Sequence, residues 1–187
     1  MSIITEFDST TKRVGFLLKN YKSLRSNDTK LWLSYLVMYH NLQTTLKNNE
    51  PCNSFCELVL DENVPSLASI SRIRQTFQKK LDYPREHKKR SKKGDYFIKE
   101  RVKHLLKNYK PLRDDDKKLW VSYLLAYHKL GEMDKSNDPY DTLCNILIEE
   151  APLPESLRRC RQLLQQKGLY TGATRSERIR HAGRRGA

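Results

Sequence analysis

Thirty residues near the start of the chain return 88 positions later. Residues 13–42 read RVGFLLKNYKSLRSNDTKLWLSYLVMYHNL and residues 101–130 read RVKHLLKNYKPLRDDDKKLWVSYLLAYHKL, with 20 of the 30 positions identical. The match continues more weakly through Cys56 and Cys144, Leu58 and Ile146, Leu60 and Ile148, and Glu62 and Glu150. One residue then drops out, and from Pro65 and Pro152 onward the offset is 87. A deletion beside a proline marks a turn. Whatever fold the chain takes must therefore be one that about 70 residues can make twice. The expected organisation is an N-terminal segment over 1–12, a first helical unit over 13–82, a basic linker leading into a helix over 83–100, a second unit over 101–170, and a basic flexible tail over 171–187.

Each unit reads as four helices. Val14, Leu17, Leu18 and Tyr21 recur at helical spacing, as do Val102, Leu105, Leu106 and Tyr109. Asn27-Asp28 and Asp114-Asp115-Asp116 supply caps and first-turn acids for a longer second helix carrying Leu31, Trp32, Tyr35, Leu36 and Tyr39. A short third helix is expected over 54–62 and 141–150, and the prolines that follow start a fourth. In the fourth, Leu67, Ile70, Ile73 and Phe77 are the expected buried stripe, matched by Leu157, Cys160 and Leu164. No strand pattern competes, so the fold class is all-α. A lone unit of this size gains no more than about 3–5 kcal/mol from its core, and packing of the two as a pseudo-dimer would add to that.

Charge is what the repeat distributes unevenly. The chain has 187 residues, 36 Lys+Arg and 22 Asp+Glu, a net charge of +14. Residues 66–93 hold 10 basic and 2 acidic groups, and residues 155–187 hold 9 and 2, so the other 126 residues are close to neutral. The whole surplus lies in the fourth helix of each unit and the segment after it. Generic solubility would not place it in matching positions twice.

Residues 65–78 read PSLASISRIRQTFQ, and residues 152–165 read PLPESLRRCRQLLQ. A short helix, a proline-containing turn and a helix rich in Ser, Arg and Gln resembles the helix-turn-helix superfamily of DNA-binding proteins, with the last two helices of each unit as the motif. The chain is also similar to small phage-encoded proteins with a proline followed by a Ser-Ile-x-Arg-x-Arg-x-x-x-Gln block. The specific part of the likeness covers about a quarter of each unit. It implies a recognition helix whose readers are Ser69, Arg72, Arg74, Gln75, Gln78 and Lys79, and in the second copy Ser156, Arg158, Arg159, Arg161, Gln162 and Gln165. Arg can pair with guanine and Gln with adenine in the major groove. The runs after each helix supply phosphate-neutralising arms: Lys88, Lys89, Arg90, Lys92 and Lys93 in the linker, and Arg175, Arg178 and Arg180 in the tail.

Other chemistry is less well supported. Cys52-x3-Cys56 lies near His40 as metal ligands might, but the second copy keeps Cys144 and His128 and has no counterpart of Cys52; buried apolar thiols are the simpler reading. His40 and His128, each beside Tyr residues, invite a general acid–base reading, though a position at a helix C-terminus accounts for them as well. Capping explains the three consecutive aspartates. There is no phosphate-cradling Gly-rich loop and no nucleophile motif, so no cofactor or metal is expected. No stretch is long and apolar enough for a membrane span, and the N-terminus lacks the pattern of a secretory signal. With four Cys, a reducing cytoplasm fits, the bacterial host's if the protein is phage-encoded. The expectation is a non-enzymatic protein that binds double-stranded DNA. An RNA-binding protein, or a module binding an acidic host or phage protein, is the alternative.

Overall fold

Proline and capping residues set where this chain starts and stops its helices. The computed structural model describes residues 9–47, 50–81 and 95–172. Among them the regular structure is entirely helical: α1 (Thr10–Asn20), α2 (Asp28–His40), α3 (Leu42–Thr45), α4 (Pro51–Leu60), α5 (Leu67–Leu81), α6 (Asp95–Asn108), α7 (Asp116–Tyr127), α8 (Pro139–Asn145) and α9 (Pro154–Gln166). Single 3-10 turns lie at Lys22–Arg25, Lys110–Arg113 and Leu130–Lys135, and a π-helical turn at Ile146–Glu150. None of these helices is long and apolar enough to cross a membrane.

The chain divides into two compact units. The first takes in Met1–Arg90 together with Lys129–Ala151, and the second Ser91–His128 together with Pro152–Ala187. The division does not follow the repeat boundary, because Lys129–Ala151, the third segment of the second copy, belongs with the first unit.

Within the first unit, Ser9 caps α1 by accepting from the Lys12 amide, and α1 buries Val14, Leu17 and Leu18. Asn27 caps α2, its Oδ1 accepting from the Lys30 amide at 3.0 Å. Asp115 does the same for α7 with the Lys118 amide, also at 3.0 Å. Each cap satisfies an amide that the first helical turn leaves without a partner. Both long helices bury an indole and donate its N–H to the proline carbonyl ahead of the last helix. Trp32 reaches Pro65 at 3.0 Å and Trp120 reaches Pro152 at 3.3 Å. The two prolines sit at the expected turn, and the tryptophans hold it.

The last helix lies across the first two in each unit, α5 on α1 and α2, and α9 on α6 and α7. Its fit is compensated between copies. A Cβ at Gly15 would come within 2.8 Å of the Phe77 ring, so glycine there lets a large aromatic lie against α1. The second copy has Lys103 in place of glycine and the smaller Leu164, buried, in place of Phe77.

The third segment departs from expectation. In the first copy it is α3 and α4; in the second it is a 3-10 turn, α8 and the π turn. Both belong to the first unit, where α4 packs on α3 and on Leu130–Lys135, and Ile146–Glu150 reaches α2. The amide of Cys52 at the start of α4 donates to Asp134 Oδ1 at 2.9 Å. Leu130, Met133, Leu143, Ile146 and Leu147 are all buried. The principal neighbours of α4 are thus α3 and the Leu130–Lys135 turn.

Two predictions follow from this arrangement. A chain ending at residue 100 lacks the segment that covers α4, and each buried Leu or Met is worth about 1.5–3 kcal/mol. Urea unfolding of that fragment, followed by circular dichroism, should show a loss of more than about 3 kcal/mol relative to the first unit in the full chain. The second concerns the residue after α7. Asn41 and Lys129 follow α2 and α7 at equivalent places, each with φ of 53°. Asparagine adopts that conformation at less cost than lysine. Lys129→Asn should stabilise by about 0.5–1 kcal/mol in thermal melts, since the exposed Lys129–Glu132 pair contributes little.

Candidate nucleic-acid interface

The surface that α5 and α9 offer is set by what they turn inward. Ser66 begins α5, its Oγ accepting from the Ser69 amide at 3.2 Å and lying 3.0 Å from the Ser69 hydroxyl. Leu67 and Ile70 are buried, whereas Ile73 and Phe77 are only half-buried. The next fully inward residue is Arg74, 1 % exposed. Its Nε donates to Asp28 Oδ1 at 2.5 Å, and its Nη1 donates to the Arg25 carbonyl at 2.9 Å and to Gln78 Oε1 at 2.7 Å. Gln78 Nε2 donates to the same Arg25 carbonyl at 2.9 Å.

The second copy repeats the clamp with the same residue types. Arg161 pairs through Nη2 with Asp116 Oδ1 at 2.9 Å and through Nη1 with the Arg113 carbonyl. Gln165 Nε2 donates to that carbonyl at 2.8 Å and to the Tyr170 carbonyl at 3.3 Å. Burial pushes the Asp116 carboxyl upward, and Arg161 acts against it. In the first unit the ionised pair is enclosed together with a carbonyl and a carboxamide that take up further donors of the guanidinium, as a buried guanidinium needs. In the second the Asp116 side chain is partly exposed and Arg161 Nε is buried without a hydrogen-bond partner.

This corrects four of the expected readers. Arg74, Gln78, Arg161 and Gln165 turn toward the interior and bond to residues of their own unit. Ser69 is half-buried in the first turn of α5, and Ser156 is half-buried with its amide on the Leu153 carbonyl. The exposed members are Arg72, Gln75 and Lys79 on α5, and Arg159 and Gln162 on α9. Gln75 Nε2 lies 3.3 Å from Ser71 Oγ as donor. Arg158 is half-buried and forms a two-point pair with Glu155, Nε to Oε2 at 2.9 Å and Nη2 to Oε1 at 3.0 Å. Lys88, Lys89, Arg90, Lys92, Lys93, Arg175, Arg178 and Arg180 lie outside the described residues. Sequence reasoning missed Glu155 as a partner, although its position three and four residues ahead of Arg158 and Arg159 was a visible signal.

The histidine and cysteine clusters have structural surroundings. His40 lies against Tyr35 and His128 against Tyr123, with ring centroids 5.6 and 5.5 Å apart. Arg13 covers the Tyr39 ring at 5.0 Å and Arg101 the Tyr127 ring at 4.8 Å. Burial first, and then the nearby Arg13 charge, hold His40 below the usual histidine range, which keeps it neutral. Burial raises the Cys52 and Cys144 thiols and pushes Cys56 up to about 12, so the protonated thiol is favoured at all three. Among the described residues no group of three or more His, Cys, Asp or Glu is placed to hold a metal ion.

No family model, curated protein or solved structure matches the chain.

The division between inward and outward arginines is testable without any ligand. Arg74→Ala strands the Asp28 carboxylate and leaves the Arg25 carbonyl to Gln78 alone, and breaking a buried pair costs about 3–5 kcal/mol. Arg72→Ala on the exposed face should stay within about 0.5 kcal/mol of the parent. Chemical denaturation of both variants measures the difference.

Proposed function

We propose that the chain binds double-stranded DNA without catalysing a reaction on it, using the outer faces of α5 and α9. The observation that carries this reading is the pair left outside once the clamps are set aside. Arg72 with Gln75, and Arg159 with Gln162, are identical exposed pairs three residues apart on equivalent helices. Three-residue spacing puts both side chains on one patch of helix surface. An exposed Arg and Gln there suit guanine and adenine edges, and either can also contact phosphate.

The charge distribution supports the same reading. The surplus of +14 resides in these helices and the segments that follow them, which on this reading neutralise phosphates beside the helices. Arg74 and Arg161 are structural here, so the interface is narrower than the full helix-turn-helix likeness implies. Two units in one chain would engage two sites, and the target would be asymmetric because the outer faces differ. Such a protein would work in the bacterial cytoplasm or nucleoid if it is phage-encoded.

Fluorescence anisotropy with labelled duplex DNA at several salt concentrations tests the proposal. Log K should fall linearly with log salt, by about 0.9 per phosphate neutralised. Replacing Arg72, Lys79 and Arg159 together by Glu should abolish binding while leaving the melting temperature near that of the parent. A flat salt response, or preference for structured RNA in direct competition, would overturn the duplex-DNA reading. So would absence of duplex affinity alongside binding to an acidic protein.

A further inference from the structure

The two outer faces are not equivalent, and one residue makes most of the difference. Residues 67–81 of α5 contain no acidic side chain. In α9 the counterpart of Ala68 is Glu155, in the first turn, and it is flanked by two arginines. Its carboxylate takes the two-point pair from Arg158 and a further contact from Arg159 Nε at 3.5 Å. Arg158 and Glu155 are about one-third exposed, and Arg159 is 69 % exposed. The Arg158 hydrogen bond holds the Glu155 carboxyl below the usual carboxylate range, so it stays ionised at neutral pH.

A carboxylate in that place competes with any anion for the same guanidinium forks. Arg158 presents its Nε and Nη2 edge to Glu155, and this edge is the one a guanine or a phosphate would take in a two-point contact. Arg72 of the first copy has no acid on its helix to compete with. The serine that replaces Arg158 there, Ser71, accepts instead from Gln75. The same fold therefore carries one open basic face and one whose two arginines share an internal carboxylate.

We infer that Glu155 restrains the second copy's arginines, so that α5 supplies most of the general affinity for duplex DNA and α9 engages only where a target group displaces the carboxylate. This rests on the duplex-binding reading above. On this view Glu155 is a positioning residue that sets specificity through Arg158 and Arg159 and makes no contact with the nucleic acid itself. The predicted consequence is unusual in sign, because removing a side chain should tighten binding.

The test measures duplex binding by the full chain and by Glu155→Ala, Glu155→Gln and Ala68→Glu, with melting temperatures to establish that each is folded. Glu155→Ala and Glu155→Gln should bind a random duplex about two- to fivefold more tightly, the scale of one exposed ion pair. Their salt slopes should steepen by about one. Ala68→Glu, which places a carboxylate four residues ahead of Arg72, should weaken binding by a similar factor. Should the parent bind duplex DNA while Glu155→Ala and Glu155→Gln leave affinity and slope unchanged, the inference is overturned and the duplex reading stands. Absence of duplex binding by the parent and all three variants overturns both.

Discussion

Each unit is held at one point, where a guanidinium and a carboxamide from the last helix meet the carbonyl that ends the first 3-10 turn. The chain of contacts runs further than that point. Arg25 Nε donates back to the Leu18 carbonyl at 2.8 Å, and Arg113 Nε to the Leu106 carbonyl at 3.0 Å. The same Arg25 and Arg113 offer their own carbonyls to the clamp from the last helix. Four pieces of chain, namely the end of the first helix, the turn, the first residue of the second helix and the middle of the last helix, are thereby fixed by one connected set of hydrogen bonds. Removing Arg74 leaves the Asp28 carboxylate without its guanidinium, and the low local dielectric makes that costly. Lysine could not replace the central arginine, because only the planar fork reaches a carboxylate, a carbonyl and an amide oxygen together.

That constraint also decides which side of the last helix reaches solvent. With Leu67, Ile70, Arg74 and Gln78 turned inward, α5 cannot rotate about its axis without breaking the clamp. Arg72, Gln75 and Lys79 are left on the far side. The outer face is thus a consequence of the interior, and a binding surface built on it has the rigidity of the core beneath it.

Much of this was legible in the sequence, and the part that was not has a physical reason. The repeat, the helical class, the capping residues and the apolar stripes on the first two helices could all be read directly, because each is a local pattern with a fixed period. The likeness puts Arg74 among the readers, and no local pattern shows its inward place, because its partner Asp28 lies 46 residues away. One signal was available. Arg25, Asp28, Arg74 and Gln78 have identical counterparts in Arg113, Asp116, Arg161 and Gln165. The third segment was the weakest stretch of the match, and it is also where the two copies differ in structure. Its place in the first unit depends on long-range packing that no local pattern encodes.

The contrast between interior and exterior bears on what two copies are for. The clamps use the same residue types in both copies, while the outer positions have diverged: Ala68 against Glu155, Ser71 against Arg158, Thr76 against Leu163, and Lys79 against Gln166. Leu163 is exposed on α9 where α5 has a hydroxyl. Had both units been held to one repeated ligand, the outer faces would face the same chemical demand and the differences would cost affinity at one of them. Arg72 with Gln75, and Arg159 with Gln162, keep that sameness outside. On the proposed duplex-binding reading, a shared exposed pair set in otherwise different surroundings suits two units that would grip a common type of backbone or base edge yet discriminate differently beside it. Fusing two such units in one chain fixes their order along a target, which a symmetric pair of identical subunits cannot do.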